Sequence, residues 1–227
     1  MKSMSSPVPP PDTESKLSDK ARVILQAATK VFLSHGFSAA TTDMIQREAG
    51  VSKSTVYAHF ASKDALFRAV IKAECATSTR NLQGIEFRPG YLRESLTELA
   101  GAYLDIVLST WGLSVYRVVI AEGQRFPELA RTFYLAGPLV IINIVARHLE
   151  QAVIAGEIAL HEITYTDAAR VFINLVRSEP QIQCLTHPDQ PFTATQKDRW
   201  AGIAVNTFMR AYGKRSAAGH SATSRTA

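Results

Sequence analysis

The stretch "TTDMIQREAGVSKSTVYAHFASKDAL", Thr41–Leu66, decides how the chain is read. It carries three helix-start signals in close succession. Thr41 precedes a short segment with Asp43 in its first turn. Ser52 precedes a second, and Ser62 a third with Asp64 near its start. Each hydroxyl is the kind of side chain that accepts from an unpaired N–H at a helix N-terminus, and an acid there suits the positive end of the helix dipole. Met44, Ile45 and Ala49 point inward, and Gly50 permits a sharp turn. Val51 before the Ser52 cap and Val56 four residues beyond it are spaced as a hydrophobic staple. The reading is two short helices, Thr42–Glu48 and Ser52–His59, joined by "AGV", which is a helix-turn-helix layout. The second helix is roughly 10 Å long at the standard rise, enough to enter a major groove. Its outward side chains, Lys53, Ser54, Thr55 and Tyr57, can all hydrogen-bond to phosphate or base edges. The capped N-termini at Thr41 and Ser52 aim backbone N–H groups outward, which suits phosphate.

Upstream, Ile24, Ala27, Ala28, Val31 and Phe32 mark one helical face, capped by Ser18 and ended by Gly36, so a first helix is expected over Asp19–His35. Downstream, the helix begun at Ser62 continues to about Asn81 before "GIEFRPG" breaks it. From Tyr91 the apolar spacing is long and regular. "VYRVVIA" and "LVIINIV" are β-branched runs, read as helical because no turn signal bounds the first and Pro138 can open the second. A further helix is expected from Asp167 to about Arg177, with Pro180 breaking or kinking it. Trp200, Ile203, Thr207, Phe208 and Ala211 lie on the last helical face. The expectation is an all-α chain of about nine helices without an internal repeat. Residues 1–17 read as a disordered Pro/Ser arm, 18–64 as a helix-turn-helix head, 65–213 as a larger body, and 214–227 as a disordered tail.

Charge divides the chain in the same way. Between Lys16 and Arg68 eight basic side chains face four acidic ones, whereas between Ala69 and Gly213 thirteen face fourteen. A basic head on a near-neutral body suits a nucleic-acid partner for the head alone. No run of about 18 apolar residues suggests a membrane span, and the N-terminus lacks the apolar stretch of a secretory signal. Cys75 and Cys184 are too few for a disulfide scaffold and read as ordinary thiols of a cytoplasmic protein. Nucleotide-binding glycine motifs and a nucleophile elbow are absent. "HEITY", His161–Tyr165, has Tyr where a zinc-protease motif needs its second His. Neither catalysis, a cofactor nor a metal is expected.

The segment "ARVILQAATKVFLSHGFSAATTDMIQREAG" followed by "VSKSTVYAHFASKDALF" resembles the TetR family of one-component transcriptional regulators. "YRVVIAEGQRFPELARTFYLAGP", Tyr116–Pro138, is similar to the C-terminal region of the AefR-like branch, related to the AcrR-type efflux regulators. The chain departs from the family in Ser54, where Gly is frequent, and in Ala58, where a second aromatic is frequent. The resemblance implies a homodimer on a palindromic duplex operator, a small-molecule effector in the body, and a repressor whose head spacing the effector changes. The DNA-facing candidates are Thr41, Thr42, Lys53, Ser54, Thr55, Tyr57, His59 and Lys63, with His59 open to a core role and Thr41 doubling as a cap. Tyr103, Trp111, Tyr116, Phe133 and Phe172 are candidates for an effector cavity or for ordinary core. Trp200, Ile203, Thr207, Phe208 and Ala211 are candidates for the dimer interface or for intramolecular packing. With few body charges to clamp an anion, an uncharged apolar or aromatic effector is expected. The rival readings are a binding protein or enzyme on an inherited fold, an activator, and a non-specific DNA organiser.

Overall fold

The structure is a computed structural model that describes residues 18–214. The arm and nearly all of the tail lie outside these residues. Ten helices follow in order: α1 Asp19–Ala39, α2 Thr42–Ala49, α3 Lys53–His59, α4 Lys63–Gln83, α5 Leu92–Val107, α6 Thr110–Glu122, α7 Pro127–Ala136, α8 Pro138–Ile154, α9 Tyr165–Thr186 and α10 Ala194–Tyr212. Among the described residues the β-structure is one isolated bridge, Ile158 with Gly213, which pins the end of the body to the α8–α9 connection. The all-α expectation holds.

Two apolar cores organise the helices. The first joins α1–α4 to Val115 and Val119 of α6 and Leu129 of α7. The second joins α5, α8, α9 and α10. α4 belongs to both, with Leu66, Phe67, Val70, Ile71 and Cys75 in the first and Leu82 in the second. The helix that starts in the head therefore runs without interruption into the body.

Three differences from the sequence reading have physical causes. α1 is assigned beyond His35 to Ala39, but Gly36 sits at φ 72°, ψ 174°, so the axis turns there as a left-handed glycine requires. The turn drives Phe37 into the core at 1% exposure. α7 is an additional helix, opened by Pro127 at its first position, where the missing N–H costs nothing. α9 does not stop near Arg177 but passes through Pro180 to Thr186. Proline there cannot donate to the Val176 carbonyl four residues back. The Trp200 indole N–H of α10 donates to that carbonyl at 2.8 Å, and to Leu175 O at 3.1 Å, so the interrupted helix ladder is completed from outside.

That contact corrects part of the dimer-interface expectation. Trp200 is turned inward onto α9. Phe208 is fully buried, its ring edge-on to Phe172 at 5.3 Å and tilted against Tyr212 at 4.8 Å. Both side chains belong to the intramolecular core, whereas Ile203, Thr207 and Ala211 face outward. Within Pro127–Ile154 an 18-residue stretch has a mean hydropathy of 1.6, and the segment is long enough to cross a bilayer, although no unbroken apolar run marks it in the sequence. In the fold, Ile141, Ile142, Ile144, Val145 and Leu149 of this stretch are buried in the second core. Gly137, at φ −113°, ψ −83°, divides it into α7 and α8.

Phe208→Ala is expected to lower unfolding stability by about 3–5 kcal/mol, the cost of a large buried aromatic deletion. Denaturant unfolding followed by circular dichroism measures this. A loss below about 1 kcal/mol would place Phe208 outside the core.

Candidate nucleic-acid interface and adjoining pocket

Local sequence chemistry builds the α2–α3 unit. Thr41 Oγ1 accepts from Met44 N at 3.2 Å, and Ser52 Oγ accepts from Thr55 N at 3.1 Å. Between the helices Gly50 takes the left-handed conformation at φ 64°, ψ 31°, its N–H donating to Arg47 O at 3.3 Å, while Val51 N–H reaches Gln46 O at 3.1 Å. This is the paired closure of a helix end that a side chain with a Cβ resists. Ile45 and Val56 are buried in the core that α1 and α4 share and fix the angle between the two helices.

With that face inward, the opposite face of α3 is exposed. Lys53, Ser54, Tyr57 and His59 are on the surface and Thr55 is half-buried. His59 is thus not a core histidine. Ser52 Oγ lies 2.8 Å from Ser54 Oγ and 2.7 Å from Thr55 Oγ1, forming a hydroxyl cluster at the α3 N-terminus. The Tyr57 hydroxyl is 3.4 Å from Thr42 Oγ1, which links α3 to the start of α2. Lys53 Nζ pairs with Asp43 Oδ1 at 2.9 Å, and this contact raises the Lys53 pKa. Both partners are well solvated, so the pair is labile and an incoming anion competes with Asp43 for the ammonium.

Lys63 departs from its expected role. Its ammonium donates to Phe37 O at 2.9 Å, Ala40 O at 3.0 Å and Ser38 O at 3.3 Å, and lies 4.6 Å from the centroid of the Phe37 ring. An ammonium has three N–H donors, and all three are engaged. Lys63 secures the end of α1 to the start of α4, so the reading of it as a solvated phosphate contact is corrected.

Beneath the head, α4–α9 surround a small pocket of about 50 Å³, partly open to solvent. Tyr103, Trp111, Tyr116 and Phe133 line it as anticipated, while Phe172 does not, being held in the second core against Phe208. Sequence reading missed Arg177 and Gln181, which enter the pocket from α9. Their spacing of four places them on one face, but only in a helix that continues past Pro180. Burial pushes the Tyr103 phenol up, and the neighbouring Arg177 guanidinium opposes that rise. Cys75 also lines the pocket. Burial pushes its thiol up to about 11, with Glu74 adding to the rise, so it is a protonated wall group at neutral pH rather than a nucleophile.

Two elements connect pocket and head. α6 presents Trp111, Val115 and Tyr116 to the pocket, and Val115 and Val119 to the core of the head. At its end, Glu122 Oε1 accepts from Ser38 N at 3.1 Å. α4 presents Cys75 and Thr79 to the pocket and carries Lys63 at its first turn.

A small basic helix-turn-helix unit with its hydroxyl-rich second helix exposed defines a DNA-binding head. Comparison with known proteins agrees. Residues 24–70 match the profile "Bacterial regulatory proteins, tetR family", and residues 94–214 match "AefR-like transcriptional repressor, C-terminal domain". The chain belongs to the TetR family of transcriptional regulators, a family of regulators rather than enzymes. Among curated relatives, the regulator UidR of Escherichia coli K12 is 29% identical over 157 residues, covering 67% of this chain and 75% of that protein. Among solved structures, "Flavonoid-responsive Regulator FrrA" is 34% identical with a TM-score of 0.74, covering 87% of this chain and 98% of that one. A TetR-family protein from Mesorhizobium loti is 25% identical with a TM-score of 0.73, covering 88% of this chain and 100% of that one.

Lys63→Met is expected to lower unfolding stability by about 1–3 kcal/mol, because three carbonyls lose a charged donor. The salt dependence of duplex binding should be unchanged. A fall of about one in the salt slope with stability intact would return Lys63 to the phosphate backbone.

Proposed function

We propose that this regulator is a homodimeric repressor that binds a palindromic operator and is released when a small aromatic effector fills the pocket. The observation that carries the reading is the double role of α6, whose Val115 lines the pocket and packs in the core of the head. A ligand that changes the packing of α6 acts directly on the α1 end that Lys63 and Glu122 hold. Two heads must reach successive major grooves about 34–36 Å apart, so a small rotation of each removes the match. The effector needs only a higher affinity for the mismatched arrangement to shift the population. The aromatic walls, and the flavonoid response in the name of the structural relative FrrA, support the effector class. The AefR-like repressor profile supports repression. A cytoplasmic location follows from a DNA target.

For the dimer, outward residues of α9 and α10 supply the face. Val171 and Ile182 are exposed on α9, and Ile203, Thr207 and Ala211 on α10. The residues that would contact DNA are Thr41, Thr42, Lys53, Ser54, Thr55, Tyr57 and His59, all exposed or half-buried on the α2–α3 side. Sedimentation of the full chain as a monomer at micromolar concentration would contradict the assembly.

Selection of bound fragments from random duplex DNA tests the reading, with a palindromic consensus as the expected result. On the selected duplex, Tyr57→Ala is expected to cost about 1–3 kcal/mol if the ring and hydroxyl reach a base edge. Lys53→Ala is expected to weaken all duplexes alike and reduce the salt slope by about one. Unchanged affinity in both variants would remove this face of α3 from the interface.

A further inference from the structure

The pocket is not uniformly apolar. Sixteen residues line it, and among their charged types there is one cation, Arg177, and no Asp or Glu. Among the described residues Arg177 has no ion-pair partner. The neighbouring polar side chain, Gln181, is 6% exposed and lines the same pocket. A half-buried guanidinium without a counter-charge is costly. Both groups come from one face of α9, and the Tyr103 phenol stands beside Arg177. Trp111 and Tyr116 of α6 and Phe133 of α7 supply aromatic walls to the same pocket.

Resting on the effector reading above, we propose that Arg177, Gln181 and Tyr103 form an anion-recognising subsite, and that the effector is a small aromatic molecule bearing an anionic oxygen, held by this subsite at one end and by the aromatic walls at its ring. The guanidinium supplies charge and a fork of N–H donors that fits a carboxylate. The Gln181 amide and the Tyr103 hydroxyl supply further donors to the same acceptor. A neutral ligand of the same shape leaves the charge uncompensated and gains only the ring contacts. This reverses the uncharged effector expected from sequence, because one unpaired cation inside a cavity outweighs the paired and solvated charges of the surface. It also gives the ligand two anchors with different neighbours: α9, whose outer side belongs to the proposed dimer face, and α6, which touches the head.

The test is calorimetric titration of the full chain with cinnamate and with cinnamamide, its neutral counterpart of the same shape. Cinnamate is expected to bind at least ~tenfold more tightly, the scale of one charge-assisted hydrogen bond. In Arg177→Met that preference is expected to fall to within about twofold, while binding of the selected duplex by the unliganded variant stays as in the parent. A merely structural Arg177 would alter stability and leave the preference intact. Gln181→Leu provides a second variant should Arg177→Met fail to fold, and is expected to weaken cinnamate severalfold while altering cinnamamide less. Absence of saturable cinnamate binding, equal affinities for the two ligands in the parent chain, or a preference that survives Arg177→Met overturns the proposal. In each of these cases duplex binding by the parent chain still stands for the regulator. Failure of the parent chain to bind any duplex would instead overturn the regulator reading alone.

Discussion

The Phe37 ring is the point at which the two parts of the molecule are joined. It sits edge-on to Phe67 of α4 at 5.0 Å and to Phe126, the residue before α7, at 4.8 Å, with Phe32 stacked at 5.9 Å. The Lys63 ammonium lies over its face and holds its carbonyl. Edge-to-face rings add to the area they bury, and the cation over the ring is attracted by its quadrupole. The arrangement exists because Gly36 turns the chain at positive φ and directs Phe37 inward. Head and body therefore do not meet through a loose linker. They meet through a packed aromatic cluster, and packed interfaces rearrange in discrete steps rather than deforming continuously.

From this constraint follows the division of labour among the helices. α2 and α3 are too short to be stable alone, since nucleation is costly and each contributes only a turn or two of hydrogen bonds. They are held by caps at their starts and by Ile45 and Val56 in the core of α1 and α4. That leaves the hydroxyl-rich side of α3 free of structural duties. α6, by contrast, has structural duties on both of its inward sides: Val115 and Val119 join the core of the head, and Trp111 and Tyr116 line the pocket.

How far this was legible in the sequence depended on the range of the determining interactions. The caps at Thr41, Ser52 and Ser62 and the turn at Gly50 are set within a few residues, and the helix-turn-helix reading held at each of them. Trp200 and Phe208 were placed on the right helical face, but periodicity alone does not say whether an apolar face meets the same chain or another copy. Their partners, Val176 and Phe172, are distant in sequence. Pro180 misled for a related reason. Its local effect is to remove a helical hydrogen bond, and the donor that replaces it comes from Trp200 on another helix. Ending α9 near Arg177 then hid the shared face of Arg177 and Gln181. Lys63 misled because the carbonyls it binds are gathered only when α1 ends beside α4.

The central claim is that pocket and DNA face share one equilibrium, and thermodynamic linkage gives it a direct measurement. Cinnamate affinity is determined by calorimetry with the free protein and again with the protein saturated by its selected duplex. If the effector acts through α6 and the Phe37 cluster, the duplex lowers cinnamate affinity by the same factor by which cinnamate lowers duplex affinity. Equal cinnamate affinities in the two titrations would contradict the account, because the two sites would then be energetically independent despite sharing helices.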